Sequence, residues 1–322
     1  MGKTRATLLT IIPAVNPHPR MERLIEGCYF EDVYGDLYAV KGLVHPPGRL
    51  YAVPRVIGGV KVKDLNTAVG YVRAVRPEYL FNDPYTGRVV AAVPLEFVSR
   101  GIYPSRRAVG PRSLVEAAEE LAGHISGFAN DFGFTGSLLT GFFGREPDID
   151  IVVYGGREAY EGLRRLRAEG VTSPVDSERQ RILLESRADT SKAVEMLALE
   201  PRKVLTGVFK GFLYTLKVVP RVFWESWEEM RCRPLGLVEA SLKVVDSSEG
   251  FYTPGRYMVK GLVQNIPCSE VVFFRSRFAE NAETGEMVRV RGLLERVEKD
   301  GGTHYRINVG LDVDDFITVQ HP

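Results

Sequence analysis

Residues 132–155 read FGFTGSLLTGFFGREPDIDIVVYG, and the fold turns on how this stretch is parsed. Phe132-Gly133-Phe134-Thr135 is strand-like, Gly136-Ser137 is a turn, a short helical piece begins at Leu138, and Ile149 to Tyr154 is a β-rich run. Ten residues separate Ser137 from Asp148. In a strand, Asp148 and Asp150 project from one face while Ile149, Ile151 and Val153 point into a core. Two adjacent carboxylates repel, and ionising both is costly without a cation. A divalent ion removes that cost, and Mg²⁺ is typically held by one or two carboxylates together with substrate phosphates. Gly136-Ser137 supplies what the phosphates need: close backbone approach, a hydroxyl, and N–H groups at a helix start.

Working outward, Ser113 with Glu116 has capping-box spacing and opens a helix to about Ala129, with Leu114, Ala117, Ala118, Leu121 and Ile125 along one face. Arg157 to Glu169 reads as a basic amphipathic helix, Glu185 to Glu200 as another, and Gly211 to Val219 as a strand. From Gly27 to Ser105 the pattern is short, β-like and punctuated by Gly and Pro, with Asp83-Pro84-Tyr85-Thr86-Gly87 a turn and a short helix between Asp64 and Val75. From Gly236 onward it is β-rich again, with evenly spaced strand candidates that suggest a small barrel or sandwich, one the N-terminal strands could complete. The expected fold is therefore α+β: a β-rich region 1–110, a central mixed sheet with helices over 111–232, and a β-rich region 233–322.

Composition is that of an ordinary globular protein, 44% apolar and 26% charged over 322 residues, which excludes disorder and a disulfide scaffold. The 42 basic and 41 acidic residues nearly cancel, which argues against a protein that wraps nucleic acid wholesale. Only 11 of the 42 are lysines. Cys28, Cys232 and Cys268 are scattered and odd in number, which fits reduced cysteines in the cytoplasm. Lys3 and Arg5 before the apolar run Ala6–Val15 loosely resemble a signal peptide, but Pro13 interrupts the run, and a first strand or a loose leader, not export, is the reading. No stretch approaches the ~20 apolar residues of a membrane span.

Thr135-Gly136-Ser137 followed by Asp148-Ile149-Asp150 resembles, in order and spacing, the signature of the nucleotidyltransferase superfamily of the DNA polymerase beta type, over about Pro111 to Pro220. The wider layout resembles an uncharacterised archaeal group of predicted nucleotidyltransferases. The resemblance implies a nucleotidyltransferase-like mixed sheet in which Asp148 and Asp150 ligate Mg²⁺ (or Mn²⁺) and Gly136 and Ser137 hold the triphosphate of an NTP. It implies transfer of a nucleoside monophosphate to a hydroxyl acceptor on RNA, protein or a small molecule. A third carboxylate is expected on the strand at 211–219, where this chain has Thr215 and Lys217. Lys217 is then a contact for the triphosphate, and Glu185, Asp176 and Asp189 are substitutes for the missing acid. The alternative is a non-catalytic nucleotide- or RNA-binding protein with a degraded site.

Other charged groups leave two readings open. Arg157, Arg164, Arg165 and Arg167 either track a phosphate backbone or form a solvated face with Glu158, Glu161 and Glu169. Arg275, Arg277, Arg289, Arg291, Arg296 and Arg306, interleaved with Phe273, Phe274, Phe278 and Tyr305, either line a nucleic-acid groove or pair with nearby glutamates. Trp224 and Trp227 are expected to bury a helix against the core. Asp312-Val313-Asp314 is read as a turn.

Overall fold

The computed structural model describes residues 10–11, 24–176, 179 and 193–320. The chain is α+β and strand-rich, built as several sheets. Strand β1 (Thr10–Ile11) pairs far along the chain with Val222–Phe223. Next come β2 (Tyr29–Asp32), β3 (Leu37–Val40), β4 (Arg49–Ile57), β5 (Val60–Lys61), α1 (Leu65–Val75), β6 (Leu80–Asp83), β7 (Arg88–Pro94) and β8 (Val98–Ile102). Their strands form one sheet in the order β6-β7-β4-β3-β2-β8, with β5 added to β4. β4 alternates strictly between buried and half-exposed residues, as a strand with one face on a core must. Leu50, Ala52 and Val56 face that core, with Phe30, Tyr38 and Tyr79. The expected helix after Asp64 is present, its first turn capped by the Asp64 carboxylate accepting from Thr67 N–H at 2.7 Å.

The central unit runs through α2 (Arg112–Ser126), β9 (Phe132–Phe134), α3 (Gly136–Thr140), β10 (Ile149–Tyr154), α4 (Arg157–Ala168), α5 (Ala193–Leu197), β11 (Thr206–Phe209) and β12 (Phe212–Val219). Its four strands lie in the order β11-β12-β10-β9, with β10 and β12 parallel and the outer pairs antiparallel, so the sheet is mixed. Lys210 and Gly211 both take positive φ, the two-residue geometry that closes the β11–β12 hairpin. The five apolar residues expected on one face of α2 are all buried against Ile149, Ile151 and Val153. The expected capping box does not form. α2 begins one residue earlier, after Pro111, with no side-chain cap, and Arg112 instead pairs with Glu116 one turn on. Pro111 lacks an N–H and presets φ, so the helix starts without the serine.

After β13 (Val222–Phe223) come β14 (Met230–Asp246), β15 (Gly255–Val263), β16 (Ile266–Phe273), β17 (Met287–Lys299), β18 (Gly302–Val309) and β19 (Phe316–Val319). They pair in the order β14-β15-β16-β18-β17-β19, and β14 also pairs with β17. The N-terminal strands form their own sheet rather than joining this one. Trp224 and Trp227 lie outside any helix. Trp224 sits against Phe223 and under Arg256, and Trp227 under Arg231.

Two buried clusters fasten the regions. Glu280, in the connection between β16 and β17, accepts from the Val204 and Leu205 N–H groups at 3.0 and 2.9 Å and from Tyr160 Oη at 2.8 Å. Arg306, only 2% exposed, donates to Glu295 at 2.8 Å and Glu225 at 2.7 Å, with Cys232 Sγ at 3.2 Å. Truncating such an arginine strands two carboxylates away from water. Arg306→Leu is therefore expected to cost about 3–5 kcal/mol, read as a lowered midpoint in urea unfolding.

Candidate functional site

The site begins with the backbone of residue 136. Gly136 has φ +59°, and a Cβ placed there would lie 2.1 Å from Asp150 Oδ2. Only glycine permits this turn to run against the aspartate. Thr135 is anchored on both sides: its N–H donates to Asp150 C=O at 3.0 Å, and its Oγ1 to Gly27 C=O at 2.7 Å. Ser137 is 1% exposed, and its Oγ has no hydrogen-bond partner among the described residues. A buried hydroxyl left unpaired costs stability, so this group is poised for a polar ligand. The helix that follows is a single turn, too short to offer the anion-binding dipole expected of it.

Asp148 and Asp150 are both half-buried at the start of β10. Burial, and then the neighbouring Asp148, pushes the Asp150 carboxyl up to about 7; burial raises Asp148 as well. Lys61 and Lys63 oppose both shifts, and Lys217 opposes that of Asp150. Two carboxyls raised together are the chemistry of a cation site: protons or a metal must take the charge.

On the neighbouring parallel strand, Thr215 lies beside Asp150 and Lys217 beside Val152, so all four residues share the face of the sheet opposite the helices. The third acid is absent from β12. Asp176 is exposed and binds Arg179, and Glu185 and Asp189 lie outside the described residues. Lys217 Nζ instead meets Glu26 Oε1 at 2.9 Å. Glu26 is 1% exposed and also meets Lys41 Nζ, at 3.4 Å. Burial would raise this carboxyl, but Lys217 and Lys41 outweigh it and hold it down at about 2. With one carboxylate serving two ammonium groups, the nearer Lys217 keeps its charge. Burial pushes Lys41 down to about 7 against the pull of Glu26, with the Lys217 and Arg55 charges adding to the fall.

These groups line one cavity of about 710 Å³, within the size range of small-molecule and cofactor sites. Lys41, Lys61, Lys63 and Lys217 all border it, four of the chain's 11 lysines. The structure thus brings together Gly136, Ser137, Asp148, Asp150 and Lys217, and adds Glu26, Lys41, Lys61 and Lys63, which the motif does not contain. The one available signal was scarcity: in an arginine-rich chain, lysine marks places that need a compact, tunable charge.

Several arginines of the other candidate surfaces are paired, and Arg275 and Arg277 border the cavity. Arg157 and Arg164 flank Glu161 on the exposed face of α4, while Arg167 turns inward to Thr172, Tyr214 and two carbonyls. In the last sheet Arg289 binds Glu239, Arg291 binds Asp312 and Asp315, Arg296 binds Glu298, and Phe273 and Phe278 are buried. The Asp312–Asp315 turn is closed by Asp315 accepting three backbone N–H groups. The three cysteines are buried and unpaired, and no helix among the described residues is long and apolar enough to cross a membrane.

No family model matches the chain. It is 24% identical, over a 331-residue alignment taking in 89% of its own length and 96% of the relative's, to "Uncharacterized protein MJ1086" of Methanocaldococcus jannaschii. No solved structure matches. The likeness is to a distant archaeal protein and spans all three regions.

Because folded Asp150 holds its proton more tightly than the unfolded chain does, its ionisation costs stability as pH rises from the ordinary carboxyl range to about 7. Above that pH the whole penalty is present. Without divalent ions, Asp150→Asn is expected to stabilise the protein by about 1–2 kcal/mol at pH 8, an advantage that fades on acidification towards pH 4. Chemical unfolding at the two pH values measures it.

Proposed function

We propose that the chain binds an NTP with Mg²⁺ in the cavity at Asp148 and Asp150 and transfers its nucleoside monophosphate to a hydroxyl acceptor. The observation that carries this reading is the opposition of two raised, half-buried carboxyls to Lys61, Lys63 and Lys217 across one cavity. A metal on the carboxylates and lysines on the phosphates is the complement such a wall calls for. Asp148 and Asp150 would hold the ion, which supplies Lewis-acid polarisation of the phosphoryl oxygens. Gly136 gives the phosphates access to the backbone, Ser137 Oγ offers an unused donor, and the lysines offset charge on the leaving group. In the step itself the acceptor oxygen bonds to the α-phosphorus, the bond from that phosphorus to the bridging oxygen breaks, and pyrophosphate leaves with the electron pair. The hydroxyl proton passes to water.

A second reading, nucleotide binding without transfer, is favoured by one observation: Thr215 and Lys217 stand where a third acid would complete a two-metal site. The mixed central sheet and the archaeal relative are compatible with either. Incubating the protein with labelled NTPs, Mg²⁺ or Mn²⁺, and pooled RNA separates them. Label transfer is expected, with a loss of 10²-fold or more in Asp148→Ala and Asp150→Ala. Transfer that survives the double replacement would sink the catalytic reading, and metal-dependent NTP binding without turnover would establish the second.

A further inference from the structure

The position of Lys217 goes beyond a phosphate contact. It projects from β12 on the face that carries Asp150, one pairing step beyond Thr215. Its partner is held independently of it. Glu26 C=O accepts from Tyr154 Oη at 3.0 Å, Glu26 N–H donates to Gly42 C=O at 2.8 Å, and Gly42 N–H donates back to Glu26 Oε2 at 3.2 Å. Glu26 is thus clamped to both the first sheet and β10, and the ammonium it faces is fixed rather than free to swing away. A divalent ion on this side of Asp150 would lie beside that ammonium and would find Thr215 in place of an anionic ligand. No group of three metal-ligating side chains occurs among the described residues.

We infer that Lys217 takes the place of a second divalent cation, so that the site holds one metal ion per nucleotide, on Asp148 and Asp150. This rests on the nucleotide reading above. The fixed ammonium of Lys217 carries the other positive charge, and Glu26 is its positioning residue. Lys217 delivers a charge without a coordination sphere, so it steadies phosphate but cannot polarise a bound water or hydroxyl.

Counting bound Mn²⁺ by electron paramagnetic resonance, on the full chain with α,β-methylene-ATP, tests this without reference to turnover. The wild type is expected to bind one ion per chain. Glu26→Gln combined with Lys217→Asp puts a carboxylate on β12 and removes the acid that would repel it, and is expected to raise the count to two. Lys217→Met alone is expected to keep one ion while nucleotide affinity falls roughly tenfold. Two ions in the wild type would overturn the inference and leave the nucleotide reading standing. One ion in both the wild type and the double variant would show that Lys217 does not set the count. An absence of Mn²⁺ and nucleotide binding in a wild-type chain with native circular dichroism would overturn the nucleotide reading, and this inference with it.

Discussion

Two half-buried carboxyls one residue apart on a strand, with an apolar sheet behind them, ionise together only at a cost that nearby positive charge offsets. Much of this molecule answers that demand. The glycine at 136 exists because the turn must pass against Asp150. The first sheet carries Lys61 and Lys63 to the opposite wall, and β12 adds Lys217 from the side. Glu26 then keeps Lys217 from being driven off by its neighbours, at the expense of Lys41. The cavity belongs to no single region: its chemistry is set on the central sheet and its charge balance on the first one.

Arginine and lysine divide the work. The arginines whose partners are seen here are mostly structural: Arg306 with two buried glutamates, Arg167 inside the central unit, Arg289 with Glu239 across strands of the last sheet, and Arg291 with the turn before β19. A planar fork that is always charged suits permanent pairing. Lysine, compact and adjustable, gathers at the cavity.

The central stretch was legible because its signals are local. Alternation gave β10 to the residue, helical spacing gave the buried face of α2, and the Asp148–Asp150 repeat put both acids on one face. The charge environment was not legible, because Glu26 and the lysines of the first sheet reach the site through tertiary packing with no fixed spacing to the motif. The partners of the arginines in the last strands were hidden for the same reason. The arginines' sequence neighbours suggested a basic groove, whereas Arg289 pairs with Glu239 on β14 and Arg291 with Asp312 in the turn before β19. The capping box failed at shorter range: a proline two positions before Ser113 had already fixed where the helix begins.

The Glu26–Lys217 pair spans 191 residues of chain. Bringing the two ends of such a loop together costs chain entropy that local contacts do not. During synthesis the first sheet, carrying a buried carboxylate with only Lys41 to face, leaves the ribosome well before β12 exists. The order of assembly therefore runs opposite to the logic of the site: the counter-charge waits in place, and the charge it is meant to hold arrives afterwards. A chain interrupted between the two would present Glu26 to a half-built cleft, so completion of this one ion pair doubles as a record that the central unit has docked.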